Sequence, residues 1–189
     1  RSGNRRLAHQ KSETIRLVIT EKPSVARDLA RVLGATGKKN GWLEGHGLQI
    51  TWCLGHLVEL EEPSHYQDAW KRWSFDTLPM LPESFDLRPR QGGGTNERLT
   101  VLRKLLQNQE ISGIVNACDA GREGELIFRF VIQMMGSHLP IERLWVNSLT
   151  TPIISVLYFS PSRNPHCRVL FCINPVFAGF YVKERGHVL

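Results

Sequence analysis

Two buried strands, each followed by acidic residues and then by a helix, constrain the fold of this chain more than any other feature. The first strand is Ile15–Thr20, which leads into Glu21 and Lys22. The second covers residues 111–118 and leads into the sequence Asp-Ala-Gly-Arg-Glu-Gly-Glu at 119–125. Short strands rich in apolar residues, without a strict apolar–polar alternation, are typical of strands that helices cover on both faces. The alternation predicts an α/β fold with a parallel sheet and right-handed crossovers.

Three amphipathic helices are expected between and after these strands. Ser24 is predicted as the N-cap of the first helix, and Gly34 is predicted to end it. A flexible joint rich in glycine precedes the second helix, which the leucine spacing places over residues 96–107. The third helix follows the acidic sequence and ends near Gly136.

The remaining segments are predicted to form short strands and one irregular insert. Strands are expected at Trp42–Gly45, at 48–54 and at about 143–146. Residues 61–93 are rich in proline, tryptophan and acids without a clear period, so we expect an irregular insert that ends in a short strand near 85–88.

The domain organisation follows from changes in composition along the chain. Residues 1–14 are expected to be a disordered basic lead-in and residues 15–151 a single domain. Residues 152–189 form an atypical tail with abruptly different composition, and this change favours a truncated or out-of-frame origin over a divergent end of the domain.

Charge and cysteine content narrow the function classes. The chain carries a formal net charge of +6, which suggests a polyanionic partner, but the excess lies in 1–14 and 152–189, whereas 15–151 is neutral. The four cysteines form no C-x-x-C pair, which argues against a zinc ribbon or a thioredoxin-type site and favours a reduced, cytoplasmic protein. No apolar run is long enough to predict a membrane helix, so no membrane partner is expected.

The acids at the strand ends are the candidate chemical site. If the two strands are neighbours, Glu21 meets Asp119 and Glu123 at one edge of the sheet, where ligands bind in such folds. Hard carboxylate oxygens suit Mg²⁺. Lys22 supplies a point charge for a phosphate oxygen, and Gly121 is expected to permit the tight turn before the helix. The alternative is that these residues only cap helices or face solvent.

Three motifs resemble a known family. They are Glu-Lys-Pro-Ser-Val-Ala at 21–26, Gly-His-Leu at 55–57 and the acidic sequence at 119–125. Together they resemble the Toprim domain of type IA DNA topoisomerases, and among these the bacterial topoisomerase III group. The sequence Trp-Val-Asn-Ser-Leu-Thr at 145–150 is also similar to that family.

The resemblance implies a role for each matching residue. Glu21 would act in acid–base chemistry near the scissile phosphate and the metal, and Lys22 would bind that phosphate. Asp119 and Glu123 would be ligands of Mg²⁺. Arg122 would contact the DNA backbone or support the acids, and Glu125 would be structural. His56 could approach DNA, although a hydrogen-bonded structural role is the better interpretation.

Two departures from the family pattern matter. The family pattern is Asp-x-Asp-x-Glu, but Gly121 occupies the position of the middle acid, so one water-rich Mg²⁺ is expected rather than a tight pair. The family also cleaves DNA with a tyrosine in a later domain, and Tyr66, Tyr158 and Tyr181 lie in no matching context.

The leading hypothesis is therefore the N-terminal Toprim portion of a type IA topoisomerase. It would act on single-stranded segments of DNA in the bacterial cytoplasm, at the nucleoid, and would be inactive without the remaining topoisomerase domains. The alternatives are a stand-alone Toprim nuclease or primase-like protein, and a non-catalytic DNA-binding module. Trp42, Trp52, Trp70 and Trp73 could stack on bases, but packing within the insert is the preferred interpretation.

Overall fold

A mixed eight-stranded sheet with helices on both faces organises the chain, as a computed structural model shows. The structure describes residues 14–145, 157–160 and 167–172. Outside the described residues lie 1–13, 146–156, 161–166 and 173–189. They include nearly all of the lead-in, the end of the strand expected at 143–146, the 146–150 part of the family motif and most of the tail. The α/β class and the helix-flanked, mainly parallel sheet are confirmed. The division at 14 and 151 stays a prediction.

The strands occur in the spatial order β2-β3-β4-β1-β7-β8-β10-β9. Their bounds are β1 Ile15–Thr20, β2 Gly37–Lys39, β3 Trp42–Gly45, β4 Leu48–Trp52, β7 Ile111–Ala117, β8 Ile141–Trp145, β9 Leu157–Ser160 and β10 Cys167–Cys172. β1 pairs in parallel with β4 and β7, and β7 pairs in parallel with β8. The pairs β2–β3, β3–β4 and β9–β10 are antiparallel, so hairpins flank a parallel centre.

In the part of the chain that the structure describes, three helices connect strands of this sheet: α1 Pro23–Leu33, α3 Thr95–Leu106 and α4 Arg122–Met135. A shorter helix, α2 Pro63–Tyr66, lies in the insert. The prediction of Ser24 as an N-cap was wrong, because Lys22 has extended backbone and caps the helix while Pro23 takes the first helical position. Proline suits that position, since its fixed φ is helical and its missing N–H would be unsatisfied anyway. Gly34 ends α1 with φ 73°, as predicted.

Alternate residues of β1 face two separate cores. Leu17 and Ile19 pack with the buried faces of α3 and α4, whereas Val18 packs with α1. This period-two alternation explains why Leu17, Val18 and Ile19 are apolar in succession. Helices cover both faces of the central strands, so their ends are the accessible part. Because β1 and β7 are parallel neighbours, their carboxyl ends lie side by side.

The insert has more structure than the sequence indicated. Two short strands, β5 Val58–Leu60 and β6 Leu87–Pro89, pair in antiparallel fashion at its base. The strand expected near 85–88 is therefore shifted toward the C-terminus. The exposed strand β2 was also missed, because the turn residues around it carry no apolar alternation. Within the described residues, no helix is long and apolar enough to cross a membrane.

Candidate metal and phosphate site

The ends of β1 and β7 bring the predicted site residues together. Thr20 and Ala117 are paired at the last step of the parallel register. Directly beyond them, the Lys22 ammonium lies 3.1 Å from Asp119 Oδ2 and 3.7 Å from Glu21 Oε1. Two carboxylates from different junctions thus converge on one cation, which is the arrangement expected if the strands are neighbours.

The first junction is fixed by backbone and hydroxyl groups. The Glu21 carbonyl accepts hydrogen bonds from the amides of Leu54 at 2.9 Å and Gly55 at 3.3 Å. The buried Thr20 hydroxyl donates to the Lys22 carbonyl at 2.9 Å. Leu54 has φ 73°, an uncommon conformation for a residue with a side chain, in the loop that presents its amide to Glu21. The Glu21 side chain is only 15% exposed, so its position is well defined.

The second junction is fixed by a buried guanidinium and a glycine. Arg143 on β8 donates from one nitrogen to the carbonyl oxygens of Cys118 at 2.9 Å and Asp119 at 2.8 Å. A Cβ on Gly124 would meet the Asp119 carbonyl oxygen at 2.2 Å, so this helical position requires glycine. The Asp119 side chain itself is 54% exposed. The backbone is held while the carboxylate remains accessible.

Glu125 joins the second junction to the neighbouring strands. It accepts hydrogen bonds from Asn116 Nδ2 at 2.9 Å, Arg129 Nε at 2.7 Å and Arg143 at 3.3 Å. Three donors on one carboxylate support the structural role that the resemblance implied for Glu125.

Glu123 faces a different partner from the other acids. Its Oε2 lies 3.0 Å from His56 Nε2, and the Glu123 side chain is 79% exposed. The preferred interpretation of His56 as a hydrogen-bonded histidine is therefore consistent with the geometry. Arg122 begins α4 and is exposed, and within residues 14–144 no ion pair is seen for it. Its contact with DNA stays a prediction.

The electrostatics of the site favour a charged lysine. The hydrogen bond that Lys22 donates to Asp119, and then the negative charges of Asp119 and Glu21, raise the pKa of Lys22 above its ordinary value. Lys22 is therefore a permanent cation at neutral pH. The pKa of the buried Cys118 thiol is also raised, by its hydrogen bond with Cys53 and by burial, so it stays a neutral packing group.

Two carboxylates of the site offer ligands of the kind that Mg²⁺ prefers. No group of three or more His, Cys, Asp or Glu residues in the described part of the chain is close enough to hold a metal ion. However, Glu21 and Asp119 already share one cation, and both offer hard oxygen atoms. Mg²⁺ usually needs only one or two protein carboxylates because it keeps several waters. The residues fit a water-rich site of that kind.

The expectation for Gly121 was wrong. This residue has φ −152°, which any residue adopts, and a Cβ there would meet nothing within 4 Å. The glycine that the turn requires is Gly124, three residues later. A glycine inside the first turn of a helix was a signal for close packing that the sequence interpretation did not use, whereas the role of Arg143 left no local signal.

Comparisons with known proteins agree with this architecture. The family model described as "Toprim domain" matches residues 16–149. The protein named DNA topoisomerase 3 of Shouchella clausii is 44% identical over 137 residues, which is 72% of this chain and 18% of that protein. Its namesake in Staphylococcus haemolyticus is 38% identical over 138 residues, 73% of this chain and 19% of that protein. The chain thus spans about a fifth of the length of these relatives. By the extent of the family match, the chain belongs to the Toprim domain family.

Proposed function

We propose that this chain is the Toprim portion of a topoisomerase 3-type enzyme and provides the residues that bind Mg²⁺ and the scissile phosphate. The observation that carries the proposal is the convergence of Glu21, Lys22 and Asp119 at one edge of the sheet. The similarity to proteins named DNA topoisomerase 3 supplies the reaction class. The whole enzyme would cut one DNA strand, pass another through and reseal the first without ATP.

Lys22 is the phosphate-binding residue in this proposal. Its ammonium is more than half exposed and is held by two carboxylates, so it can turn from them toward a phosphate oxygen. A lysine cation beside a transferring phosphoryl group stabilises the charge that develops there. Arg122, which is exposed at the first position of α4, would contact the neighbouring DNA backbone.

Glu21 is the acid–base residue in this proposal. The backbone amides that hold its carbonyl and the low exposure of its side chain give it a fixed place next to Lys22. A proton carried between the attacking or leaving hydroxyl and solvent needs such a positioned carboxyl group. Mg²⁺ would be held by Glu21 and Asp119, and Glu123 would join them only by leaving His56. The metal would supply Lewis-acid stabilisation of the phosphate charge.

The nucleophile is not expected within this chain. Of the three tyrosines, Tyr66 accepts a hydrogen bond from the Asp86 amide at the base of the insert and serves there structurally. The remaining topoisomerase domains would supply the tyrosine and much of the single-strand binding surface. The complete enzyme would work in the bacterial cytoplasm, at the nucleoid.

The experiment is a plasmid relaxation assay on two proteins. The chain alone should not relax supercoiled plasmid. A chimera in which residues 16–149 replace the matched segment of the Shouchella clausii protein should relax it in the presence of Mg²⁺. Glu21→Gln should abolish that relaxation, while Glu110→Gln, at the opposite end of β7, should not.

Two results would contradict the proposal. Relaxation by the chain alone would show that no further domain is needed. Mg²⁺-dependent nicking of DNA by the chain alone, abolished by Glu21→Gln, would support the nuclease alternative instead.

A further inference from the structure

Several large apolar side chains are exposed within one short stretch of the insert, residues 72–85, here called the insert tip. Phe75 is 95% exposed and Trp73 is 74% exposed. Three further apolar residues of the tip are exposed: Leu78, Leu81 and Phe85. Single exposed apolar residues are common on protein surfaces, but several within one short segment mark an interaction surface.

Ion pairs and hydrogen bonds join the two ends of the insert at its base, so the tip has a defined position. Arg88 on β6 donates to Glu59 and to Glu62, each at 2.9 Å. The Tyr66 hydroxyl accepts from the Asp86 amide at 2.7 Å. These contacts join the two ends of the insert across the β5–β6 pair.

The backbone within the tip is also ordered by hydrogen bonds. The Thr77 amide donates to the Ser74 carbonyl at 3.2 Å, and the Ser74 amide donates to the Thr77 hydroxyl at 3.1 Å. These two bonds close a single 3-10 turn that begins at Phe75. Phe75 is therefore displayed by an ordered turn, in the manner of an aromatic anchor at a protein interface.

The charges of the tip disfavour nucleic acid as the occupant. The segment contains one base, Arg72, and two acids, Asp76 and Glu83. Both acids are exposed among the apolar side chains and would repel phosphates. An apolar protein surface is the chemistry that the tip fits. The earlier interpretation that Trp73 packs within the insert is wrong, since most of its surface is exposed.

The remaining length of the relatives offers a partner within the same polypeptide. The Toprim match includes the tip, and the matched segment is 18% of the Shouchella clausii protein. We propose that the insert tip is the surface on which the remaining part of a topoisomerase 3-type polypeptide docks against the Toprim unit, with Phe75 and Trp73 as its anchors. This inference rests on the proposed function.

The test is hydroxyl-radical footprinting of Trp73 and Phe75 in the chain alone and in the chimera described above. Oxidation of both side chains should fall at least fivefold in the chimera. His138, an exposed ring in the loop before β8, is the control and should be oxidised equally in both proteins. Equal oxidation of the tip in both proteins would overturn the proposal.

Two further footprinting experiments test whether a second copy of the chain or DNA covers the tip instead. Protection of the tip in the chain alone that rises with protein concentration would identify a second copy as the occupant and overturn the proposal. Protection of the tip by a single-stranded oligonucleotide would assign it to DNA and overturn the proposal as well. If the chimera does not fold, the same footprinting is carried out on the intact Shouchella clausii protein. Oxidation of its aligned segment at the rate of a fully exposed segment would contradict docking.

A variant separates docking from folding. Phe75→Ser should leave the melting temperature of the chain alone unchanged, because the ring contacts little there, but should lower that of the chimera by several degrees. His138→Ser should change neither by a comparable amount. A melting temperature of the chimera that Phe75→Ser leaves unchanged would contradict the role of Phe75 as an anchor. If the chimera relaxes plasmid but its tip is not protected, only the docking proposal is refuted. If the tip is protected but the chimera is inactive, only the proposed function is contradicted.

Discussion

The two strand–helix junctions of the site carry similar residues but are held in place by different means. At the end of β1, the Glu21 carbonyl is held by two amides of a neighbouring loop. At the end of β7, the Asp119 carbonyl is held by the Arg143 guanidinium, and close packing against Gly124 fixes the turn. The first junction thus depends mainly on backbone amides, with one side-chain contribution from the Thr20 hydroxyl, whereas the second depends on the identities of Arg143 and Gly124. The second junction should therefore be the one that mutation breaks.

The largest effect is expected from Arg143→Met. The substitution leaves the carbonyls of Cys118 and Asp119 without this donor and removes one partner of Glu125. Hydrogen bonds to charged groups contribute about 1.5–3 kcal/mol, so the free energy of unfolding should fall by about 3 kcal/mol. Urea denaturation measures this. Thr20→Val, the matched change at the first junction, should cost only about 1 kcal/mol. An equal loss of unfolding free energy in Arg143→Met and Thr20→Val would refute the difference between the junctions.

Gly124→Ala should have the next largest effect. Its added carbon would overlap the Asp119 carbonyl, which belongs to the backbone and cannot rotate away. Overpacking of this kind costs about 1–3 kcal/mol, and Mg²⁺ affinity should fall with it because the turn that carries Asp119 must shift. Gly93→Ala, where a Cβ meets nothing within 4 Å, is the control for denaturation and metal titration. Normal Mg²⁺ affinity in Gly124→Ala would show that the turn is not held by this contact.

Gly121→Asp should strengthen the second junction. The position is the extended N-cap of α4 and faces open space, so an aspartate fits there and adds a carboxylate beside Asp119. Aspartate exceeds glycine as an N-cap by a few tenths of a kcal/mol, so stability should rise slightly. Calorimetric titration should show at least a threefold gain in Mg²⁺ affinity over the unaltered chain. A loss of stability would mean that the turn does need glycine at this position.

Lys22 links the two junctions, and its expected effect on stability is the smallest. Because its pKa is raised in the folded state, its contribution is fully present below the ordinary pKa of about 10.4 and is lost as the pH rises through the folded value. The free energy of unfolding of Lys22→Met should therefore differ from that of the unaltered chain at neutral pH, and the two should converge as the pH rises through the folded pKa of Lys22. A difference that grows with pH would contradict the assigned cause.

The parts of this structure that were predictable are those set by apolar pattern. β1, β7 and the buried faces of α1, α3 and α4 follow from runs and periods of apolar residues. The convergence of Glu21 and Asp119 was expected only on the condition that the two strands are neighbours, which the pairing of β1 with β7 fulfils. Short elements with few apolar residues were not predictable, as β2 shows. The start of α1 was misplaced because Ser24 is a good cap in isolation, whereas Pro23 favours a helix that starts earlier.

The supporting contacts of the site were not predictable from local sequence. Arg143 lies on a different strand from the acids it supports, and only the parallel pairing of β7 with β8 brings it to them. Similarly, the exposure of Trp73 and Phe75 depends on how the insert folds back on β5 and β6 rather than on their own neighbours in the chain.

The central claim is that the ends of β1 and β7 form one site for Mg²⁺, and calorimetric titration of the chain with MgCl₂ tests it most directly. Asp119→Asn should weaken Mg²⁺ binding at least tenfold and leave the melting temperature nearly unchanged, because the carboxylate is 54% exposed and lies at a strand end. Glu110→Gln, at the opposite end of β7, should bind Mg²⁺ like the unaltered chain. Equal affinity for Mg²⁺ in Asp119→Asn and the unaltered chain would contradict the account.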